Sequence, residues 1–81
     1  MTLEDLKKAQ KVIGIKQVIK AINRDQVVCV FIGADADSKV VGPIKGLCTE
    51  KTIAIDAEST MAELGKACNI SVRAAAVAVL K

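Results

Sequence analysis

The chain has 81 residues, 52% of them apolar and 26% charged, and a net charge of +3. It is one globular domain near the smallest size at which a hydrophobic core holds a fold unaided. Phe31 is the sole aromatic residue and histidine is absent, which excludes a base-stacking platform of the RRM or OB type and a histidine acid–base centre.

Thr2, with Asp5 in the first turn, predicts a helix start, and Leu3, Leu6, Gln10 and Ile13 carry the helical spacing as far as Gly14. A second helix follows Gly14, with Ile15, Val18, Ile19 and Ile22 as its core stripe. Lys16, Lys20 and Arg24 fall on a separate, solvent-facing side of it, in one row at i, i+4 and i+8. Like charges so placed destabilise a helix by roughly 0.2–0.5 kcal/mol per pair. "VVCVFIG", residues 27–33, is a strand covered on both faces, because it is β-branched and has no polar alternation. "ADADS" is a polar turn. Pro43 is placed as the first residue of a third helix with Ile44, Leu47 and Cys48 inside. "TIAID", 52–56, is a short strand. Thr60 and Glu63 form a capping box that opens a fourth helix with Met61, Leu64 and Cys68 inside, and Asn69 is its left-handed stop. "AAAVAVL", 74–80, closes the chain as a buried strand. Helices that alternate with apolar strands imply an α/β sandwich around a largely buried sheet, in a single domain over 1–81.

The charge is unevenly distributed. Residues 1–24 hold Lys7, Lys8, Lys11, Lys16, Lys20 and Arg24 against Glu4 and Asp5, a net +4, whereas residues 25–81 hold a net −1. A basic face directed at a polyanion is the physical implication. Cys29, Cys48 and Cys68 lack C-x-x-C spacing, so no zinc set is expected and the residues read as buried thiols of a reducing compartment. "MTLEDLKKAQ" has no apolar core of a signal peptide, and no run is long enough to span a bilayer, so a cytoplasmic protein without a membrane partner is expected. Asp35 and Asp37 flank a turn and are read as turn and N-cap formers rather than a metal pair. Without G-x-S-x-G or a glycine-rich loop before Gly65-Lys66, the chain is not read as an enzyme, and no cofactor or metal is assigned.

Two segments remain, "GIKQVIKAINR" and "NISVR". Together with "DADS", "LCTEK" and "ELGKACNISVRAAAVAVL", they make the chain resemble, end to end, the family of the ribosomal seven-Ae and thirty-e proteins, twelve-e and Gadd45. The resemblance is greatest to the small bacterial ribosomal-protein-like members. It implies a three-layer α/β/α sandwich with a mixed sheet of about four strands. It also implies binding to kink-turns, sharply bent RNA helices whose three-nucleotide bulge adjoins tandem sheared G·A pairs. Where the family has Gly-x-Asn-Glu-x-x-Lys, this chain has Gly14, Ile15, Lys16, Gln17 and Lys20. Gln17 thus offers a neutral carbonyl and an amide in the glutamate's place, and Lys16 adds a cation. The family's apolar loop, which covers the flipped-out nucleotide, falls on Ile70, Ser71, Val72 and Arg73, with Asn69 where glycine is common. The partner implied is a structured RNA, ribosomal RNA or a riboswitch, bound by a monomer. The Gadd45 branch leaves a protein-interaction module on the same fold as the alternative.

Overall fold

The computed structural model describes residues 2–81. Its elements in chain order are α1 (Leu3–Lys8), β1 (Lys11–Ile13), α2 (Ile15–Asn23), β2 (Val27–Ile32), α3 (Ser38–Lys51), β3 (Ala54–Asp56), α4 (Met61–Ala67) and β4 (Ala76–Leu80). The strands form one sheet in the order β1-β4-β2-β3. β4 runs antiparallel to both β1 and β2, and β3 runs parallel to β2. This is the mixed four-stranded sheet that the resemblance implies.

Alternation along β4 explains why helices cover both faces. Ala76 and Ala78 point into one cluster with Val18 and Ile22 of α2 and Val41, Ile44 and Cys48 of α3. Val77 and Val79 point into a second cluster with Leu6 of α1, Phe31, and Leu64 and Ala67 of α4. A strand buried on both sides has no polar position to offer, hence its unbroken apolar run. No buried side-chain nitrogen or oxygen among the described residues lacks a hydrogen-bond partner. No helix there is long and apolar enough to cross a membrane.

Two expectations fail. The first helix stops at Lys8, and Lys11–Ile13 is a strand rather than a continuation of it. The helical spacing of Gln10 and Ile13 loses to sheet pairing: Lys11, Val12 and Ile13 stand opposite Val79, Ala78 and Val77, and the Gln10 carbonyl accepts the Leu80 N–H at 2.8 Å. The third helix begins at Ser38, capped by Asp37, so Pro43 lies inside it. Its missing N–H forgoes one bond to the Lys39 carbonyl. Lys39, Val40, Gly42 and Pro43 are exposed there, where water supplies the substitute. Of the remaining elements, the strand expected at 52–56 is shortened to Ala54–Asp56, because Thr52 is the left-handed C-cap of α3. β2 is covered on both faces except at its start, where Val28 is exposed. Asn69 is in the left-handed region at φ 58°, as expected. Cys48 and Cys68 are buried, Cys29 is half-buried, and burial pushes all three thiols above their ordinary pKa.

Candidate nucleic-acid interface

β1 and β2 end, and β4 begins, at the same end of the sheet, where Gly14 and Gly33 donate their N–H groups to the Ala76 and Ala75 carbonyls at 3.0 and 2.9 Å. α2, α3 and α4 all start at this end, so their dipoles present positive poles there. Two of these poles are closed by side chains. Asp37 accepts from the Lys39 N–H at 2.8 Å and closes α3. Thr60 and Glu63 cap each other's backbones at 3.2 and 2.9 Å, and Asp35 accepts from the Met61 N–H at 2.8 Å, closing α4. Both aspartates of "DADS" are thus engaged as caps.

α2 opens differently. Gly14 sits at φ 103°, ψ 154° and supplies no side-chain cap, and the first turn has no acid. Its carbonyl accepts the Val18 N–H at 2.9 Å, and nothing lies within 4 Å of where a Cβ would stand. The amides of Ile15, Lys16 and Gln17 precede the first intrahelical bond and have no partner among the described residues. A positive φ of this size favours glycine, and the absent side chain leaves the backbone open to close approach.

Lys16, Gln17, Lys20 and Arg24 are exposed, and none makes a side-chain hydrogen bond or ion pair with a described residue. Of the other cations of the first third, Lys8 is likewise exposed and unpaired among the described residues, whereas Lys7 and Lys11 are committed. Lys7 pairs with Glu4 at 3.1 Å, and Lys11 Nζ donates to the carbonyls of Lys7 and Ala9 at 3.4 and 3.3 Å, closing the end of α1. Gln17, Lys20 and Arg24 line a shallow depression with Val12, Ala21 and Gln26. Ile15 is half-buried against the α2–α3 cluster and serves the core.

The chain after α4 doubles back over that helix. Its Ile70 N–H donates to the Gly65 carbonyl and its Ala74 N–H to the Met61 carbonyl, both at 3.1 Å. Ile70 is half-buried against the α1–α4 cluster. Ser71, Val72 and Arg73 are exposed, and Val72, 68% accessible, is the most exposed large apolar side chain among the described residues. The two apolar loop residues therefore divide the work: Ile70 anchors and Val72 is presented.

Gly14 is hydrogen-bonded to Ala76, and Val72 precedes Ala76 by only four residues, so the loop runs into the strand that adjoins the bare helix end. The start of α2 and the loop of Ser71, Val72 and Arg73 thus both adjoin the beginning of β4, one in each helical layer of the sandwich. Arg24 stands at the opposite end of α2, roughly 15 Å from Gly14 at 1.5 Å per residue. Sequence reading missed the long-range cap from Asp35 to α4, for which nothing in local spacing is a signal.

The model of the "Ribosomal protein L7Ae/L30e/S12e/Gadd45 family" matches residues 2–81. The chain is 40% identical over 81 residues to a protein of Bacillus pumilus named "RNA-binding protein", covering 99% of each. It is 45% identical over 69 residues to an RNA-binding protein of Caldanaerobacter subterraneus, covering 85% of this chain and 84% of that one. Among solved structures, the Giardia lamblia 15.5kD RNA binding protein superposes with a TM-score of 0.88 at 28% identity, over 98% of this chain and 70% of that one.

Proposed function

The chain belongs to the L7Ae/L30e/S12e/Gadd45 family, and from that premise we propose that it is an RNA-binding protein that recognises kink-turns and stabilises their kinked form. The observation that carries this reading is the uncapped, acid-free start of α2, hydrogen-bonded through Gly14 to the strand that an exposed Val72 leads into. Uncommitted amides at a helix N-terminus, with uncommitted cations behind them, suit a phosphate. Lys16 and Lys20, and Arg24 further along, follow the backbone of one RNA strand, which offsets the repulsion within their row. Gln17 reads a guanine edge with its carbonyl as acceptor and its amide as donor. Val72 covers the flipped-out nucleotide by plain apolar contact, and Arg73 takes a neighbouring phosphate.

Such a surface acts by selection. It fits the bent RNA and not the extended duplex, so binding shifts the RNA toward the bend by the difference in affinity for the two shapes. Ribosomal RNA and riboswitches are the classes of structured RNA that would present it. The protein acts as a monomer in the cytoplasm and catalyses nothing.

The test is a titration of a standard kink-turn and of a control whose sheared G·A pairs are replaced, at several salt concentrations. The kink-turn binds at least about tenfold tighter, a difference of 1.4 kcal/mol. With phosphates taken by Lys16, Lys20, Arg24 and Arg73, log K falls with log salt at a slope of about −3. Equal, salt-sensitive binding to both RNAs would reduce the protein to a basic domain and favour the protein-partner alternative.

A further inference from the structure

Gly65 lies in the middle of α4, buried, and its ordinary helical conformation gives no local reason for glycine. The reason is overhead. A Cβ built there would overlap the Val72 carbonyl oxygen and stand 3.2 Å from the Val72 carbonyl carbon and 3.3 Å from the Arg73 Cα. The neighbours are backbone atoms, which cannot rotate aside as a side chain does. The Gly65 carbonyl also accepts the Ile70 N–H at 3.1 Å, so one residue both holds the start of the loop and leaves room for its middle.

We propose that Gly65 is a positioning residue for RNA recognition, setting the height at which Val72 and Arg73 stand above α4 without touching RNA itself. This rests on the kink-turn reading for its functional consequence, while its structural half is independent of it. Alanine is a better helix former than glycine, so Gly65→Ala leaves α4 helical and instead lifts the loop. Gly46, in α3, is the matched control: it too is helical, but nothing lies within 4 Å of where its Cβ would be.

The experiment uses the full chain in wild-type, Gly65→Ala, Gly46→Ala, Val72→Ala and Gly65→Ala/Val72→Ala forms. Amide NMR spectra of the protein alone come first. Gly65→Ala should shift the Ser71, Val72 and Arg73 amides while those of Lys16 to Lys20 stay in place, and Gly46→Ala should leave the loop unchanged. Unmoved loop amides in Gly65→Ala, or loss of dispersion across the whole spectrum, would overturn the proposal whether or not the protein binds kink-turns. Titration of the standard kink-turn follows. Val72→Ala removes two methyl groups of contact, a loss of about tenfold in affinity, and Gly65→Ala should match it. In the double variant the losses should not multiply, because both act on one contact. Multiplying losses, or Gly65→Ala binding as wild type, would overturn the positioning role. A wild-type chain that ignores the kink-turn would sink the RNA reading and with it the functional half, leaving the loop shifts to decide the structural half alone.

Discussion

The N-termini of α2 and α4 lie at the same end of one sheet and meet the same physical problem in opposite ways. Each leaves amides without intrahelical acceptors and a positive dipole pole. At α4 the problem is solved three times over, by Thr60, Glu63 and Asp35. At α2 it is not solved within the described residues, and the helix instead adds Lys16 to its own positive end. A chain that caps α1, α3 and α4 has the residues to cap α2 as well. What stands at α2 costs stability, and the RNA proposed above would supply the missing negative charge through its phosphates.

Charge reversal breaks this contrast most strongly. Lys16→Glu with Lys20→Glu replaces two cations of the row by acids, and like charges facing phosphate cost several kcal/mol, so kink-turn affinity should fall by about a hundredfold or more. The thermal midpoint should change little, because Lys16→Glu favours the N-terminal pole and Lys20→Glu sets an opposite charge four residues before Arg24, offsetting the loss of a cation from the last turn. A gel-shift titration and a melting curve on one preparation check both halves. Gly14→Ala should come next, with about 1–3 kcal/mol lost in urea unfolding through the positive φ alone, since no clash awaits the methyl group. Thr60→Ala sharpens the comparison from the other side. It should remove about 1 kcal/mol, lowering the midpoint by roughly 4–8 °C, while leaving RNA affinity unchanged.

The smallest effect is that of pH. The Thr2 backbone N–H, then its hydroxyl, hold the Asp5 carboxyl below its ordinary value, and Lys51 at 2.9 Å does the same for Asp25. Lowered folded pKa values mean that the stability is fully present above the ordinary carboxylate pKa, about 4, and is lost as pH falls through the lowered values. Both groups are fully exposed, so the decline is shallow. With no histidine to titrate, kink-turn affinity should be flat between about pH 6 and 8. Titrations across that range check it.

The sequence made legible those features whose cause is local. The stripe of α2, the capping box of α4, the left-handed Asn69 and the two long apolar strands each follow from spacing or from a residue's own conformational limits. β1 was hidden because three residues acquire a strand's identity only from β4, which lies more than sixty positions away. The start of α3 was misplaced because Pro43 is tolerated inside a helix where water reaches the orphaned carbonyl, while Asp37 is the true cap. In the candidate site, the exposed row of α2 could be read from its i, i+4, i+8 spacing. The different fates of Ile70 and Val72 could not, since both are aliphatic and only the fold-back over Gly65 buries one and presents the other.

The most direct test maps where the RNA sits. Isotope-labelled protein titrated with a standard kink-turn should show amide shifts from Gly14 to Lys20 and at Ser71 to Arg73. Thr60 to Glu63, at the capped start of α4, should stay still. Shifts concentrated at the α4 N-terminus or along β3, with Gly14 to Lys20 unmoved, would contradict the account.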